Sequence, residues 1–366
     1  MLTIEQVDPQ SQTQVHRFVE LPYRLFATSP QWVPHLLENA RLVLDRQKHP
    51  LYEHSQAGFF IAVRDGRDVG RIAVHAPRYK GRTTAKFYLF DCENDIDAAT
   101  GLFERIFEWA RQRGFKKISG PRGFTMLDGD GILVKGFEHA PVIETMNYNY
   151  DYYVALIEAM GFEKEGETGS YTTRTDRQVP VLLHEMADQV RQRGGLHIKS
   201  FSTMAELLNW TPRLLETLKK AFTYRVIITR EDAFVVDFFK HRADPRFMKA
   251  IMYGEEMVGV SIAIPNISAA LQRTRGQIKR DQLQEEIKRT KRMTTFGIGF
   301  QPEFQSQGIN VILFSEIEKM VRETGIKQLD IPSVSEDNPR MKNDLRALGL
   351  QPCQTHRLYI RDLEMS

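Results

Sequence analysis

The stretch FQPEFQSQGIN, residues 300–310, closes a β-rich run and opens an amphipathic one, ILFSEIEKMVRETG. Phe300, Gln305, Ser306, Gln307, Gly308, Ile309 and Asn310 thus read as a strand-to-helix turn with one glycine. The first amides of a helix have no intrahelical acceptor, and the helix dipole is positive at that end. Such a turn can hold a phosphate or another anion, and Gly308 lets the backbone approach it closely. Asn310 stands where a glycine or alanine would leave more room. An ordinary turn is the alternative.

Other residues could carry chemistry. Glu336 follows a predicted strand and could act as a general base, or be a solvated loop carboxylate. Asn338 precedes Pro339 at a predicted helix start, the arrangement of a side-chain cap. His356 lies in the closing strand, where a lone histidine is usually satisfied or exposed. The first half adds His75, Asp91 and the acidic turn Asp128-Gly129-Asp130-Gly131. That turn lacks the spacing and distal glutamate of an EF-hand loop. Tyr148, Tyr150, Tyr152 and Tyr153 cluster in one segment and suit core packing or a pocket wall.

The elements that must position these residues come twice. The first half predicts a strand at 2–7, helices over 12–27 and 31–45, and a hairpin turning at Asp65-Gly66. Then come a strand at 86–94, an amphipathic helix at 95–114, a strand from 115, a helix from 150 and a final strand from 162. The second half repeats this order: a strand at 196–202, helices over 204–222 and 231–242, and a hairpin near Gly254-Glu255. It continues with the strand MTTFGIGF, a helix over 309–325, the strand IKQLDIPSV, a short helix and a closing strand. This repeat predicts two domains, 1–177 and 178–366, joined by a largely helical linker. Residues 267–292 break the symmetry. They carry eight Lys/Arg against three Asp/Glu, and read as a solvated helical insertion, a lid, or a basic surface for an anionic ligand or membrane face.

Composition excludes several classes. The 366 residues carry a formal net charge of +3, which provides no basic field for nucleic acid. No apolar run reaches the roughly 20 residues needed to span a bilayer, and the first residues do not read as a signal peptide. The two cysteines, Cys92 and Cys353, suggest a reducing compartment, so a cytoplasmic location is expected. No Cys/His cluster has metal-ligand spacing.

The order of elements, GFQPEFQSQGIN feeding a helix and EDNPRMKNDLRALGL after the next strand together resemble the GNAT superfamily of acyl-CoA-dependent N-acyltransferases. More narrowly, LPYRLFATSPQWVPHLL, HPLYEH, GPRGFTMLDGDGILVKGFEHAPV and MNYNYDYYVALIEAMGFEK resemble a bacterial family of tandem GNAT-like proteins, over nearly the whole chain. The resemblance implies an α+β fold with two tandem domains, each a mixed, mostly antiparallel sheet flanked by helices. It also implies acetyl-CoA or a longer acyl-CoA as donor, with its pyrophosphate on a Gln/Arg-x-x-Gly-x-Gly/Ala turn. Gln305 and Gly308 fit that turn; Asn310 departs from it. Asn338 matches a family asparagine that can also contact CoA. The matching turn of the first half, CENDIDAATG, has no glycine ahead of its helix. It carries Glu93, Asp95 and Asp97, which favour the helix dipole but repel a pyrophosphate, so the first half is expected not to bind CoA in this way.

Many GNAT enzymes place a tyrosine acid four residues before the Gly-Phe that closes the last helix. Here Leu345 and Ile157 occupy those positions. The implied function is acyl transfer to a small-molecule or lipid amine, without nucleic acid. The alternatives are a catalytically inactive acyl, lipid or peptide binding protein, and a relative that uses an aminoacyl donor.

Overall fold

The computed structural model describes residues 1–78, 81–125, 127–176, 181–221, 229–305 and 308–363. The first half contains β1 (Leu2–Gln6), α1 (Gln12–Leu25), α2 (Leu37–Leu42), β2 (Ser55–Arg64), β3 (Arg67–Pro77), β4 (Thr84–Cys92) and α3 (Ile96–Arg111). It ends with β5 (Lys117–Gly120), β6 (Ile132–Lys135), α4 (Tyr152–Glu158) and β7 (Glu163–Arg174). Helix α5 (Val181–Gly194) leads to the second half. That half contains β8 (Leu196–Ser200), α6 (Met204–Ala221), α7 (Thr229–Arg242), β9 (Met248–Tyr253), β10 (Glu256–Pro265), α8 (Ser268–Thr274) and α9 (Arg280–Arg289). It closes with β11 (Arg292–Phe300), α10 (Asn310–Thr324), β12 (Gln328–Ser335), α11 (Pro339–Ala347) and β13 (Gln351–Asp362). The repeat read from the sequence is present.

Local chemistry explains most elements. Asp65 and Gly66 both have positive φ, 51° and 79°, as a two-residue hairpin turn requires. Helix α3 buries Leu102, Phe103, Ile106 and Phe107 on one face, each contributing roughly 1.5–3 kcal/mol of apolar burial. One expected helix is much reduced. Residues 31–36 form no regular element and only Leu37–Leu42 is helical, because Pro34 disfavours helix at its own position and at the one before.

The two halves form one sheet. Its order is β1-β2-β3-β4-β5-β13-β7-β12-β11-β10-β9-β8, with β6 pairing β13 at the side. All pairs are antiparallel except β4–β5 and β11–β12. The strands next to the middle are exchanged. Strand β13, from the end of the chain, pairs with β5 of the first half, and β7 pairs with β12 of the second. Strands β7 and β13 pair with each other from Glu163 to Thr172 and Gln351 to Ile360. Neither half's first five strands are therefore continued by that half's own last strand.

Two further segments cross between the halves. Leu127, Val142, Ile143 and Met146 of the first half are buried among Leu214, Met248 and Ile262 of the second. Conversely, the basic insertion forms α8 and α9 and packs on the first half. Ile267, Leu271, Leu283 and Ile287 cluster with Val33, and Leu36 and Ile278 flank them. The sparse apolar positions of the insertion thus form a seam, and its charged residues lie outside it.

Candidate functional site

Each half has a wedge where its parallel strands part. Strands β11 and β12 pair only over Arg292–Thr294 and Gln328–Asp330. Strands β4 and β5 pair only over Thr84–Lys86 and Lys117–Ser119. Beyond those residues the ladders stop, although in the first half Arg122 N still donates across the gap to Phe87 O at 2.8 Å. Each wedge also has a bulge on its first strand. Register shifts by one residue between Ile262 and Ala263 against β11, and between Arg71 and Ala73 against β4. In β4 the extra residue is Leu89, held at φ 49°. Strand β12 bends too, with Ser333 at φ 56°.

The helix that follows each wedge differs between halves. In the second half, α10 starts without a side-chain cap and without an acid in its first turn. Gly308 ahead of it has φ 75° and open space where a side chain would stand. Asn310 is the first helical residue and is half-buried. Gln305 points back into the fold, its Nε2 donating to Phe300 O at 2.9 Å and to Ala221 O at 3.3 Å. It fixes the turn against the strand end. Phe300 and Ile309 are core residues beside Ile312 and Leu313. Ser306 and Gln307 lie outside the described residues.

In the first half, the start of α3 is taken by its own carboxylate. The Asp95 carboxylate caps it by accepting from Ala98 N at 3.1 Å. Arg64 pairs with Asp95 and Asp97, while Arg24 and Arg67 pair with Glu93. The Arg64 hydrogen bonds, the largest cause, and the helix amide hold Asp95 below the usual carboxylate range.

The other candidates have defined partners. Glu336 ties two strands together: Oε2 binds Lys164 Nζ at 2.6 Å and Oε1 accepts from Glu167 N at 2.8 Å. The Lys164 bond, the largest cause, lowers its pKa, and both carboxylate oxygens of this candidate base are engaged with β7. Asn338 caps α11, its Oδ1 accepting from Met341 N at 3.1 Å. Leu345 and Ile157 are fully buried apolar residues. His356 is buried and donates from Nε2 to Asn147 O at 2.8 Å. Asp128 folds its own turn, with Oδ2 accepting from Phe124 N, Thr125 N and Thr125 Oγ1. No group of acids, histidines and cysteines among the described residues could hold a metal. Tyr150 and Tyr152 donate to the main-chain carbonyls of Leu25 and Cys92, and the Tyr153 hydroxyl accepts from Cys92 N.

A cavity of about 60 Å³ lies at the β4 bulge of the first half. No local sequence signal marks the cavity, although Asp91 and Tyr148, candidates by residue type, stand in its wall. Its walls include His35, Arg71, Leu89, Asp91, Met146 and Tyr148. Arg71 donates from Nε to Asp91 Oδ2 at 2.7 Å and from Nη1 to Phe18 O at 2.8 Å. Asp91 Oδ1 and the His35 imidazole accept or donate no hydrogen bond among the described residues. Burial, aided by the Arg71 charge, lowers the His35 pKa and keeps the ring neutral near pH 7. The segment carrying His35 is the roof, and the basic insertion holds it. Gln272 Nε2 donates to Pro30 O and Trp32 O at 2.9 and 3.1 Å, and Leu37 N donates to Gly276 O at 3.1 Å.

The cavity adjoins the second-half wedge. Met146 lines the cavity, and its Sδ lies 3.6 Å from Ser333 Oγ on the splayed part of β12. Beside it, Val142 O accepts from Thr294 Oγ1 at 2.6 Å and from Asn266 Nδ2 at 2.7 Å. Glu144 forms a buried ion pair with Arg242 of α7.

The paired halves, the splayed parallel strands and the helix after each wedge define the tandem GNAT fold. A solved tandem GNAT protein from the clavulanic acid biosynthesis pathway superimposes with a TM-score of 0.62, at 11% identity over all of both chains. A GCN5-related N-acetyltransferase from Sphaerobacter thermophilus gives 0.53, at 12% identity over 99% of this chain and 96% of that one. In sequence, the chain is similar to Protein YghO of Escherichia coli (strain K12), 24% identical over 362 residues, 94% of this chain and 92% of that protein. It is equally similar to Bacterial ceramide synthase of Caulobacter vibrioides (strain NA1000 / CB15N), 24% identical over 371 residues, 96% of this chain and 95% of that protein. No family model matches. No helix among the described residues is long and apolar enough to cross a membrane.

Proposed function

We propose that the chain transfers an acyl group from an acyl-CoA to the nitrogen of a small-molecule or lipid amine. The second domain, 178–366, takes the donor, with the pyrophosphate on the Gly308–Asn310 turn and the pantetheine in the β11–β12 wedge. The first domain, 1–177, does not take CoA in the same manner. The observation that carries this is the contrast between the two helix starts: α10 is uncapped and free of acids, while α3 is capped by Asp95 and crowded by carboxylates. The N–H groups on the open edge of β11 would stabilise the tetrahedral oxyanion. The name of the Caulobacter relative supports a lipid amine, since a ceramide is an N-acylated long-chain amine. Glu336 and Asn338 keep structural roles, and Gln305 acts by shaping the turn.

Equilibrium titration with acetyl-, octanoyl- and palmitoyl-CoA tests the donor site. Binding of at least one is expected, and Asn310→Asp should weaken it while favouring the helix itself. Failure of all three to bind the wild type would refute the proposal. A second reading, an acyl or lipid binding protein without turnover, draws support from Leu345 and Ile157 at the usual acid position. Release of free CoA with any member of an amine panel would exclude it.

A further inference from the structure

The cavity at the β4 bulge holds two unpartnered polar groups, His35 and Asp91 Oδ1. Both residues are half-buried and line the same cavity, so these polar atoms are available to a ligand that enters it. The rest of the wall mixes apolar residues such as Leu89, Ile132 and Met146 with polar ones such as Tyr23, Asn147 and Asn149. At about 30 Å³ per water, the 60 Å³ cavity has room for an amino group and the carbon that bears it. Met146 in its wall also touches β12, its Sδ 3.6 Å from Ser333 Oγ. The charges of Arg71, Glu144 and Asp91 act on the His35 ring, and the Tyr23 hydroxyl donates to its carbonyl at 3.0 Å.

We propose that this cavity is the acceptor-amine site, in which Asp91 Oδ1 holds the ammonium and His35 takes its proton. The inference rests on the acyl-transfer reading above and assigns the base which that reading leaves open. The neutral imidazole takes one proton from the ammonium, and the freed nitrogen lone pair attacks the thioester carbon. The C–N bond forms, the C–S bond breaks, and the departing thiolate takes the second nitrogen proton. His35 then returns its proton to solvent. The halves share the work: the second supplies the donor wedge, and its insertion fixes the roof that carries the base.

Two measurements test this. In the first, palmitoyl-CoA turnover is followed with a panel of long-chain primary amines and amino diols. Replacing a general base costs 10²–10⁴-fold, so His35→Gln should lower kcat/KM by about that factor. Its palmitoyl-CoA affinity and melting temperature should stay unchanged, since the ring has no hydrogen bond to lose. The acid limb of the wild-type pH profile, expected below about 6.5, should vanish, and added imidazole should restore part of the rate of His35→Ala. A wild type that turns over while His35→Gln keeps both rate and limb overturns the inference and leaves the proposed function standing.

The second measurement needs no donor: octylamine is titrated into the protein alone. Saturable binding to the wild type that is lost in Ala40→Trp, which fills the cavity from α2, supports the site even if no acyl-CoA is used. Absent binding, or equal binding to both, overturns it.

Discussion

Acidification from pH 7 to pH 5 should cost the fold about 4 kcal/mol. Burial, the largest cause in each case, pushes His49 down to about 4, His75 to about 3 and His356 to about 4. Their unfolded value is about 6.5. A depressed histidine gives stability that is present above pH 6.5 and lost as pH falls toward the folded value. Each therefore costs just under 2 kcal/mol over this window, or roughly 5 together. Asp128 works against them. Burial raises it to about 6, so the folded state takes its proton first and regains about 1 kcal/mol over the same window.

The local geometry gives the reason. His49 Nδ1 accepts from Leu51 N at 3.2 Å and cannot be protonated without losing that bond. His356 Nδ1 is buried without a partner, so a proton there would be an unsatisfied donor. The lowered His35 pKa adds in the same direction. Urea midpoints at pH 7, 6 and 5, at constant ionic strength, measure the effect. A slope of ~3 kcal/mol per molar urea predicts a midpoint lower by ~1.3 M at pH 5. His356→Gln should remove nearly half of the pH dependence. Equal midpoints at pH 7 and 5, or an unchanged dependence in His356→Gln, would refute the reasoning.

Chains 1–177 and 178–366 expressed separately should each fail to give a cooperative melt, because β13 and β7 are exchanged between them; coexpression should restore it. Glu144→Gln leaves Arg242 charged and unpaired at 3% exposure and should cost about 3–5 kcal/mol, whereas Glu144→Leu with Arg242→Leu should cost less; chemical denaturation measures both. Asp95→Ala should lose about 1 kcal/mol as a helix cap without creating CoA binding in the first half, since Glu93 and Asp97 remain. Glu336→Gln should leave turnover unchanged in any assay that detects the wild type.

The repeat was legible in the sequence because it rests on local signals. Period-2 and period-3.6 patterns, the Asp65-Gly66 turn, Gly325 closing α10 and Asn338-Pro339 opening α11 are each decided within a few residues. The α10 start was legible for the same reason, since the missing acids and Gly308 are neighbours in the chain. Glu336 was not, because its partners Lys164 and Glu167 lie some 170 positions away in sequence and meet it only across exchanged strands. The helix expected over 31–45 is shortened by Pro34, and the insertion, more than 200 residues later, supplies hydrogen bonds that hold the segment ahead of it.

The sequence by itself therefore determined the elements, their doubling, and which half offers an anion a free helix start. Only the tertiary structure decided that β7 and β13 trade places, that the insertion is a clamp, and that His35 and Asp91 face one cavity beside the second-half wedge. Backbone periodicity and capping are near-neighbour physics that a linear reading captures. Strand exchange and cavity formation depend on which distant surfaces bury one another, and the burial pattern of either segment is compatible with many partners.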